Sequence, residues 1–260
     1  MSRVVLLGEG IGYSASPAMH NAAFTALGLP HRYELANVPA SDLAARVAGL
    51  RADDALGANV TKPHKVAVCI LADDRSPEVE RLGAANTLVR RDGRLTAHNT
   101  DLAALAAELV RVAPRPGRRA VILGAGGASL AARAALADAG WTDVVAVTRE
   151  RWAQMPALLD GADLLVNATP IGTAGSATDG ESPIRESSLR PDLAVLDLVY
   201  RPSPTRMVRE ARAAGAAAIS GAGMLLRQAA ASFLLWTGQE APLDVMRDAL
   251  HDELGPRTDA

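Results

Sequence analysis

Cysteine occurs once in the chain, at Cys69. A single thiol excludes an intrachain disulfide and a cysteine-based zinc site, and the usage fits a reducing cytosol. Cys69 lies in the apolar run Val66 to Leu71, where core packing is expected rather than nucleophilic chemistry. Long uncharged apolar stretches are missing too. Arg227 interrupts the run from Met224 to Trp236, and nothing reaches the ~18–20 residues that a membrane span requires. There is no block of like charge: 27 basic residues face 29 acidic ones for a net charge of -2, so the electrostatic footprint of a nucleic-acid or anionic-membrane partner is absent. Val4 to Leu7 reads as a strand without the basic flank, apolar region and small-residue site of a signal peptide before it. No repeat or low-complexity linker interrupts the chain. The expectation is a cytoplasmic protein, monomer or homodimer, that holds no metal and acts on a small molecule.

What is present is 260 residues at 49% hydrophobic, enough for one or two cores. Short β-branched runs alternate with Ala/Leu stretches of helical period, the pattern of an α/β protein with mainly parallel strands. After the first strand a helix is expected with Ser16 as cap and Pro17 at its first position, ending at Gly28. Leu43, Val47 and Leu50 form a helical stripe, and Ala58 to Val60 a short strand leading into a Thr-Lys-Pro turn. From Leu102 a helix should present Leu105, Ala106, Leu109 and Val110 on one face until Pro114, Pro116 and Gly117 break it. That helix is a candidate domain connector.

Next come the apolar strand Ala120 to Leu123, the turn Gly124-Ala125-Gly126-Gly127-Ala128, an Ala-rich helix to Ala139 and the strand Val144 to Val147. Strand, glycine turn, helix, strand opens a doubly wound, Rossmann-type dinucleotide-binding fold. Leu164 to Val166, Ala194 to Leu198 and Ala217 to Ile219 would complete a sheet of five or six strands. The glycines let backbone N–H groups approach a pyrophosphate at the helix N-terminus. Ser129 stands where the fingerprint has its third glycine, and a tight turn without ligand is the alternative. At the tip of the second strand, Thr148-Arg149-Glu150-Arg151 supplies two guanidinium groups for a 2′-phosphate, which favours NADP. Glu150 leaves NAD possible.

Lysine is as scarce as cysteine is rare. Of the 27 basic residues only Lys62 and Lys65 are lysine, three apart in one segment. An ammonium can lose its proton and serve as acid or base, whereas guanidinium stays charged, so the pair points to a task arginine cannot perform. Asn86-Thr87 and Asn99-Thr100-Asp101 offer amide, hydroxyl and carboxylate groups suited to binding hydroxyls. Helix capping is the alternative for each, Asp101 being placed to cap a helix from Leu102. Gln228 falls on an otherwise apolar face with Met224, Ala231 and Leu235, where an unpaired amide would cost about 1–3 kcal/mol, so a bound partner is expected.

In their order these segments resemble the shikimate dehydrogenase family over nearly the whole chain. The resemblance rests on Ser14-Ala15-Ser16-Pro17 with His20-Asn21, on Asn59-Val60-Thr61 with Pro63 and Lys65, and on Gly83 to Leu88 and Asn99-Thr100-Asp101. It continues through the Gly124 to Ala128 turn, Asn167 to Gly172, Asp197-Leu198-Val199-Tyr200, Gly223-Met224-Leu225 with Gln228, and Phe233 to Gly238. It implies reversible hydride transfer between a nicotinamide cofactor, NADP or else NAD, and a ring hydroxy acid, shikimate or 3-dehydroshikimate. It implies a catalytic pair, Lys65 and Asp101. Ser14 and Ser16, with Tyr200 as a further donor, would take the carboxylate, and Asn59, Thr61, Asn86 and Gln228 would read the ring hydroxyls. Gly124, Ala125, Gly126, Gly127, Ala128, Thr148, Arg149, Arg151, Thr169 and Gly221 would hold the dinucleotide. Residues 1–101, completed by the helices of 223–260, would form an α/β substrate domain and 102–222 the nucleotide domain, with catalysis in the cleft between.

The chain departs from the family pattern at Tyr13, where histidine is common, at Ala97, Leu102 and Ala104, which replace glycines, and at Thr148, Glu150 and Thr173. A branch acting on quinate or an amino-substituted ring, linked to NAD, therefore stays open. A folate-type methylene dehydrogenase is opposed by the ordered motifs, and a silent ligand sensor by the intact Lys65 and Asp101.

Overall fold

The computed structural model describes residues 2–52 and 54–255. The elements run β1 (Ser2–Gly8), α1 (Ser16–Ala26), β2 (His31–Asn37), α2 (Leu43–Gly49), β3 (Ala55–Val60), β4 (Asp74–Arg75), α3 (Pro77–Leu82), β5 (Thr87–Arg91) and β6 (Arg94–His98). They continue with α4 (Asp101–Val112), β7 (Arg119–Leu123), α5 (Gly127–Asp138), β8 (Asp143–Val147), α6 (Met155–Leu159), β9 (Leu164–Asn167), β10 (Ala194–Asp197), α7 (Arg206–Ala213), β11 (Ala218–Ser220), α8 (Ala222–Thr237) and α9 (Leu243–Leu254). The chain divides into two compact units. One runs up to Asp101 and resumes at Leu226, and the other is Leu102–Leu225. The second junction thus falls inside α8, not at 222.

The first unit is built on a sheet of order β2-β1-β3-β5-β6-β4. β2 and β3 flank β1 in parallel, β5 and β6 are antiparallel, and β4 lies parallel to β6. Val5, Leu7, Ala58, Val60, Leu88, Leu95 and Ala97 are buried on it with Leu43, Val47 and Leu50 of the α2 stripe. Gly57, with φ +151°, sits where β3 meets β5; a Cβ there would run into the Leu88 carbonyl and lie 2.8 Å from Trp236 Nε1, so close strand approach requires glycine. Trp236 Nε1 donates to that carbonyl at 2.9 Å, which fixes α8 to the sheet, and α9 packs on α1.

Several local expectations change. Ala15, not Ser16, is the N-cap of α1, which has no side-chain cap; Ser16 is already the first helical residue. In the Val66 to Leu71 run, Val68 and Cys69 turn inward in a short 3-10 helix while Val66 and Ile70 face outward. On α4 the buried row is Ala104, Leu105, Glu108, Leu109 and Val112, and Val110 is 64% exposed. The extra buried position is Glu108, whose carboxylate takes Arg111 at 2.7 Å. On α8 the inward row is Gln228, Ala229, Ser232, Phe233 and Trp236; Ala231 and Leu235 are only half-buried.

The second unit carries an all-parallel sheet of order β11-β10-β9-β7-β8. Its strands read as continuous apolar runs, Ala120–Leu123 and Leu164–Val166 being fully buried, as expected of a sheet covered on both faces. The chain steps from β7 outward to β8, then returns past β7 to β9. This reversal is the topological switch point of a doubly wound sheet, beside which such folds bind nucleotides.

Candidate active site

The turn after β3 delivers Lys65. Thr61 N–H donates to the Leu7 carbonyl at 2.9 Å and His64 N–H to the Thr61 carbonyl at 2.8 Å, closing the turn. The buried His64 ring is anchored by Nε2 to the Val38 carbonyl at 2.7 Å. Lys65 Nζ then reaches Asp101 Oδ2 at 2.7 Å. The Asp101 side chain is 4% exposed and that of Lys65 16%, so the pair is shielded from bulk water. Lys62 points outward, with its Nζ 5.4 Å from the centroid of the Tyr13 ring.

The second oxygen of Asp101 accepts from Asn86 Nδ2 at 2.9 Å. Lys65 and Asn86 thus each hold one carboxylate oxygen, and each oxygen keeps a lone pair for a further donor. Asn86 Oδ1 accepts from Thr100 N–H at 2.8 Å, and its Nδ2 lies 3.4 Å from Gln228 Oε1. Gln228 accordingly has a partner within the chain, and its burial needs no ligand to be explained. The reading of Asn59 as a group facing the substrate is corrected more firmly. Its Oδ1 accepts from Tyr33 OH at 2.8 Å, and its Nδ2 faces Asn86 O, Thr87 Oγ1 and Ser232 Oγ at 3.0–3.1 Å. With two N–H bonds and three acceptors, Asn59 has none left to offer and stands behind the site.

Ser14 and Ser16 are brought together at the start of α1, their Oγ atoms 3.2 Å apart, and Ser16 N–H donates to Ser14 Oγ. The first turn of this 11-residue helix carries no acidic residue. Two hydroxyls and a helix N-terminus form a ready anion site. Thr61 is half-buried beside Gly8, where a Cβ would collide with its methyl group.

In the second unit the glycine turn lies at the switch point. Gly124 has φ +107°, and a Cβ there would come within 3.0 Å of the Ala168 carbonyl and 3.3 Å of Thr169 Cγ2, so the turn after β7 and the loop after β9 can touch only through glycine. Ala125 lies between these glycines, and Gly126 caps α5 with no side chain, nothing among the described residues lying within 4 Å of where its Cβ would be. Gly127 and Ala128 open the helix, leaving its first N–H groups for an anion. This geometry fits a dinucleotide pyrophosphate. Ser129, in place of the third glycine, is buried in α5. Thr169 is fixed by its N–H and Oγ1 to Asn167 Oδ1, at 3.0 and 2.6 Å.

Residues 149–154 form a short 3-10 helix after β8. The Thr148 hydroxyl donates to the Glu150 carboxylate and holds its pKa below the usual range. Arg151 folds back onto Gln154 Oε1 and the Ala146 carbonyl, at 3.2 and 3.3 Å. Arg149 is exposed and is the better placed of the two for a phosphate. Gly221 packs on Leu198, where a Cβ would strike the Leu198 carbonyl, and its N–H donates to Val199 O at 3.1 Å. Tyr200 is half-buried in the loop after β10.

Asp197, at the tip of β10, is a site-flanking group that the motif reading names without a role. Its oxygens accept from Asn167 Nδ2, Val199 N–H and the Thr205 hydroxyl at 2.7–3.0 Å. Burial raises its carboxyl to about 6 from 3.8, against these three hydrogen bonds, which pull it down. The folded unit keeps the proton over a range in which the unfolded chain has released it. Stability should therefore fall as pH rises from about 4 to 6, by roughly 3 kcal/mol in all. Asp197→Asn, which keeps an acceptor for Asn167 and Val199, is expected to flatten this slope when urea midpoints are measured across the window; an unchanged slope would assign it to another group.

A parallel sheet with a glycine turn at its switch point, in a chain that also buries an amine–carboxylate pair among amides, defines a two-unit α/β oxidoreductase of the dinucleotide-binding class. The chain is 41% identical over 275 residues to the shikimate dehydrogenase (NADP(+)) of Symbiobacterium thermophilum, covering 94% of this chain and 92% of that one. It belongs to the shikimate dehydrogenase family. The family's substrate binding domain matches residues 6–88 and the shikimate 5'-dehydrogenase C-terminal domain matches residues 221–251. Among solved structures, the enzyme of Thermus thermophilus in complex with NADP(H) and shikimate is similar at a TM-score of 0.83 and 36% identity, over 98% of this chain and 100% of that one. Quinate dehydrogenase from Corynebacterium glutamicum in complex with NAD also has a TM-score of 0.83, at 29% identity over 95% and 98% of the two chains.

Proposed function

We propose that this protein is an NADP-linked shikimate dehydrogenase that interconverts 3-dehydroshikimate and shikimate. The observation that carries the reading is the shielded Lys65–Asp101 pair, 2.7 Å apart and locked from behind by Asn86, in a chain of this family. The dinucleotide, when bound by the second unit, supplies or accepts the hydride. In the reducing direction Lys65 donates a proton from Nζ to the ketone oxygen as the ring carbon gains the hydride, so that C=O becomes CH–OH. Asp101 keeps the ammonium in place and accepts from the reacting hydroxyl. In the oxidising direction the same pair takes the proton back.

The substrate carboxylate belongs with the hydroxyls of Ser14 and Ser16 at the start of α1. The ring hydroxyls belong with Thr61 and Gln228, which carry both donor and acceptor atoms, while Asn86, its Nδ2 spent on Asp101 Oδ1 and Thr100 Oγ1 at 2.9 Å, acts from behind the pair. Gly124 to Ala128, Thr169 and Gly221 shape the dinucleotide site. Arg149 supplies the charge for the 2′-phosphate, since Glu150 is occupied by Thr148 and Arg151 by its own backbone and Gln154.

The test is the initial rate of reduced-nicotinamide formation on a grid of shikimate or quinate against NADP or NAD. Turnover confined to shikimate with NADP is expected. Arg149→Ala should then raise the KM for NADP about tenfold or more, a hydrogen bond to a charged group being worth ~1.5–3 kcal/mol, and leave the KM for NAD nearly unchanged. Equal effects on both cofactors would remove Arg149 from phosphate recognition. Preference for quinate would overturn the substrate assignment and direct attention to Tyr13 and the Lys62 ammonium over its ring.

A further inference from the structure

Behind the Lys65–Asp101 pair lies a continuous buried network in which every link joins a hydroxyl, an amide or a main-chain group. Tyr33 OH meets Asn59 Oδ1, Asn59 Nδ2 meets Thr87 Oγ1 and Ser232 Oγ, and Thr87 Oγ1 meets Asn86 Oδ1 at 3.1 Å. Thr87 and Ser232 hydroxyls are 2.8 Å apart. Tyr33, Thr87 and Ser232 are each at most 1% exposed, and Asn59 and Asn86 at most 4%.

Three main-chain groups set the direction of the whole network. The Asn86 carbonyl can only accept, so the side of Asn59 that faces it at 3.1 Å is Nδ2. Asn59 Oδ1 therefore faces Tyr33, and the phenol must donate. The Thr100 N–H can only donate, so Asn86 presents Oδ1 to it and Nδ2 to Asp101. Ser232 Oγ donates to the Gln228 carbonyl one turn back on α8, at 3.0 Å. It thereby remains an acceptor for Asn59. A flip of either amide would set donor against donor, or acceptor against acceptor, at several of these contacts.

We propose that Thr87 and Ser232, with Tyr33 behind them, are positioning residues that hold Asn86 in the one orientation from which it can fix Asp101, and through Asp101 the ammonium of Lys65. The proposal deepens the assignment of Lys65 and Asp101 as the proton-transfer pair and rests on it. None of the three is a catalytic residue. Their effect is on where Asp101 stands, and a small displacement at a reacting group is costly in rate.

Thr87→Val keeps shape and removes the hydroxyl; Thr87→Ser keeps the hydroxyl and removes the methyl group. In the full chain, with shikimate and NADP, Thr87→Val is expected to lower kcat about tenfold or more, with KM for shikimate within about threefold of the parent. The pH profile of kcat should shift, and Thr87→Ser should restore both rate and profile. Ser232→Ala and Tyr33→Phe should show the same split and serve if Thr87→Val does not fold. A folded Thr87→Val with lower thermal stability but parental kcat and pH profile would overturn the proposal, because a purely structural role predicts that result. Asp101→Asn is assayed alongside. If it is inactive while Thr87→Val is parental, the network alone is overturned; if it retains parental kcat, the assignment of the pair falls and the proposal with it.

Discussion

Lys65→Ala is expected to lower kcat by about 10²- to 10⁴-fold, the usual contribution of a positioned acid–base group, while shikimate binding measured by calorimetry changes little. Binding should survive because the hydroxyls of Ser14 and Ser16, just before and at the first residue of α1, belong to a different segment from Lys65. Lys65→Arg is the sharper variant. It keeps a cation beside Asp101 but cannot release a proton near neutral pH, so stability should be retained and turnover lost. Removing the ammonium altogether leaves the buried carboxylate of Asp101 without its cation, still held by Asn86. Breaking a buried pair from one side costs ~3–5 kcal/mol, and adding Asp101→Asn to Lys65→Ala should recover much of that without restoring turnover. Near-parental turnover in either single variant would take Lys65 out of the mechanism.

The second large effect concerns acid. His20 is fully buried, stacked on Tyr33 with ring centroids 4.5 Å apart and 9° between planes, and surrounded by Phe24, Phe233 and Trp236. Among the described residues neither ring nitrogen has a hydrogen-bond partner, and burial lowers its pKa from 6.5 to about 3. Below pH 6.5 the unfolded chain binds a proton that the folded chain refuses until about pH 3. Stability is therefore present above 6.5 and is lost as pH falls through the window, by about 2 kcal/mol at pH 5 and roughly 4 at pH 3. His20→Phe keeps an aromatic ring in the cluster and removes the titration. The difference between its urea midpoints at pH 7 and pH 5 should shrink by the equivalent of about 2 kcal/mol. Equal acid losses in parent and variant would sink the assignment. The slope opposes that of Asp197, so the first unit is weakened by acid over a range in which the second gains from it.

Much of the fold is legible in the sequence because its parallel strands are buried on both faces and appear as plain apolar runs. Ala120–Leu123 and Leu164–Val166 are of this kind, and the glycine turn between strand and helix is read correctly from its context. β2 is not legible in the same way: among His31–Asn37 only Tyr33 is buried, as expected of an edge strand that offers no apolar pattern. The β5–β6 hairpin did leave a signal. Asp92-Gly93 stands between Leu88-Val89 and Leu95, and both turn residues take positive φ, 51° and 76°, the requirement of a two-residue hairpin turn.

The candidate site divides along similar lines. Lys65 stands out because lysine is so rare here, and Asp101 because it closes a polar segment. Asn59 was expected to face the substrate and is turned inward, since nothing in a linear pattern reveals that Tyr33, Thr87 and Ser232 converge on it from three separate segments. The same holds for Gln228, whose neighbour Asn86 is 142 positions away. Val110 misleads because it continues the apolar period of α4, whereas the buried place goes to Glu108, which carries its counter-ion with it.

The first unit is discontinuous along the chain, and this has a consequence for biosynthesis. Ser232, Gln228, Phe233 and Trp236 complete the sheet and the polar network of residues that are translated long before them. At roughly 5–20 residues per second, the ribosome needs on the order of ten seconds to traverse the intervening unit, which is contiguous and can fold as it emerges. During that interval the N-terminal segment must wait with the aromatic face of α1 uncovered and Asn59 short of a partner. A nascent chain arrested before α8 would thus hold a folded nucleotide unit beside an unfinished substrate unit, and the N-terminal segment is the part of the nascent chain for which a chaperone would be needed.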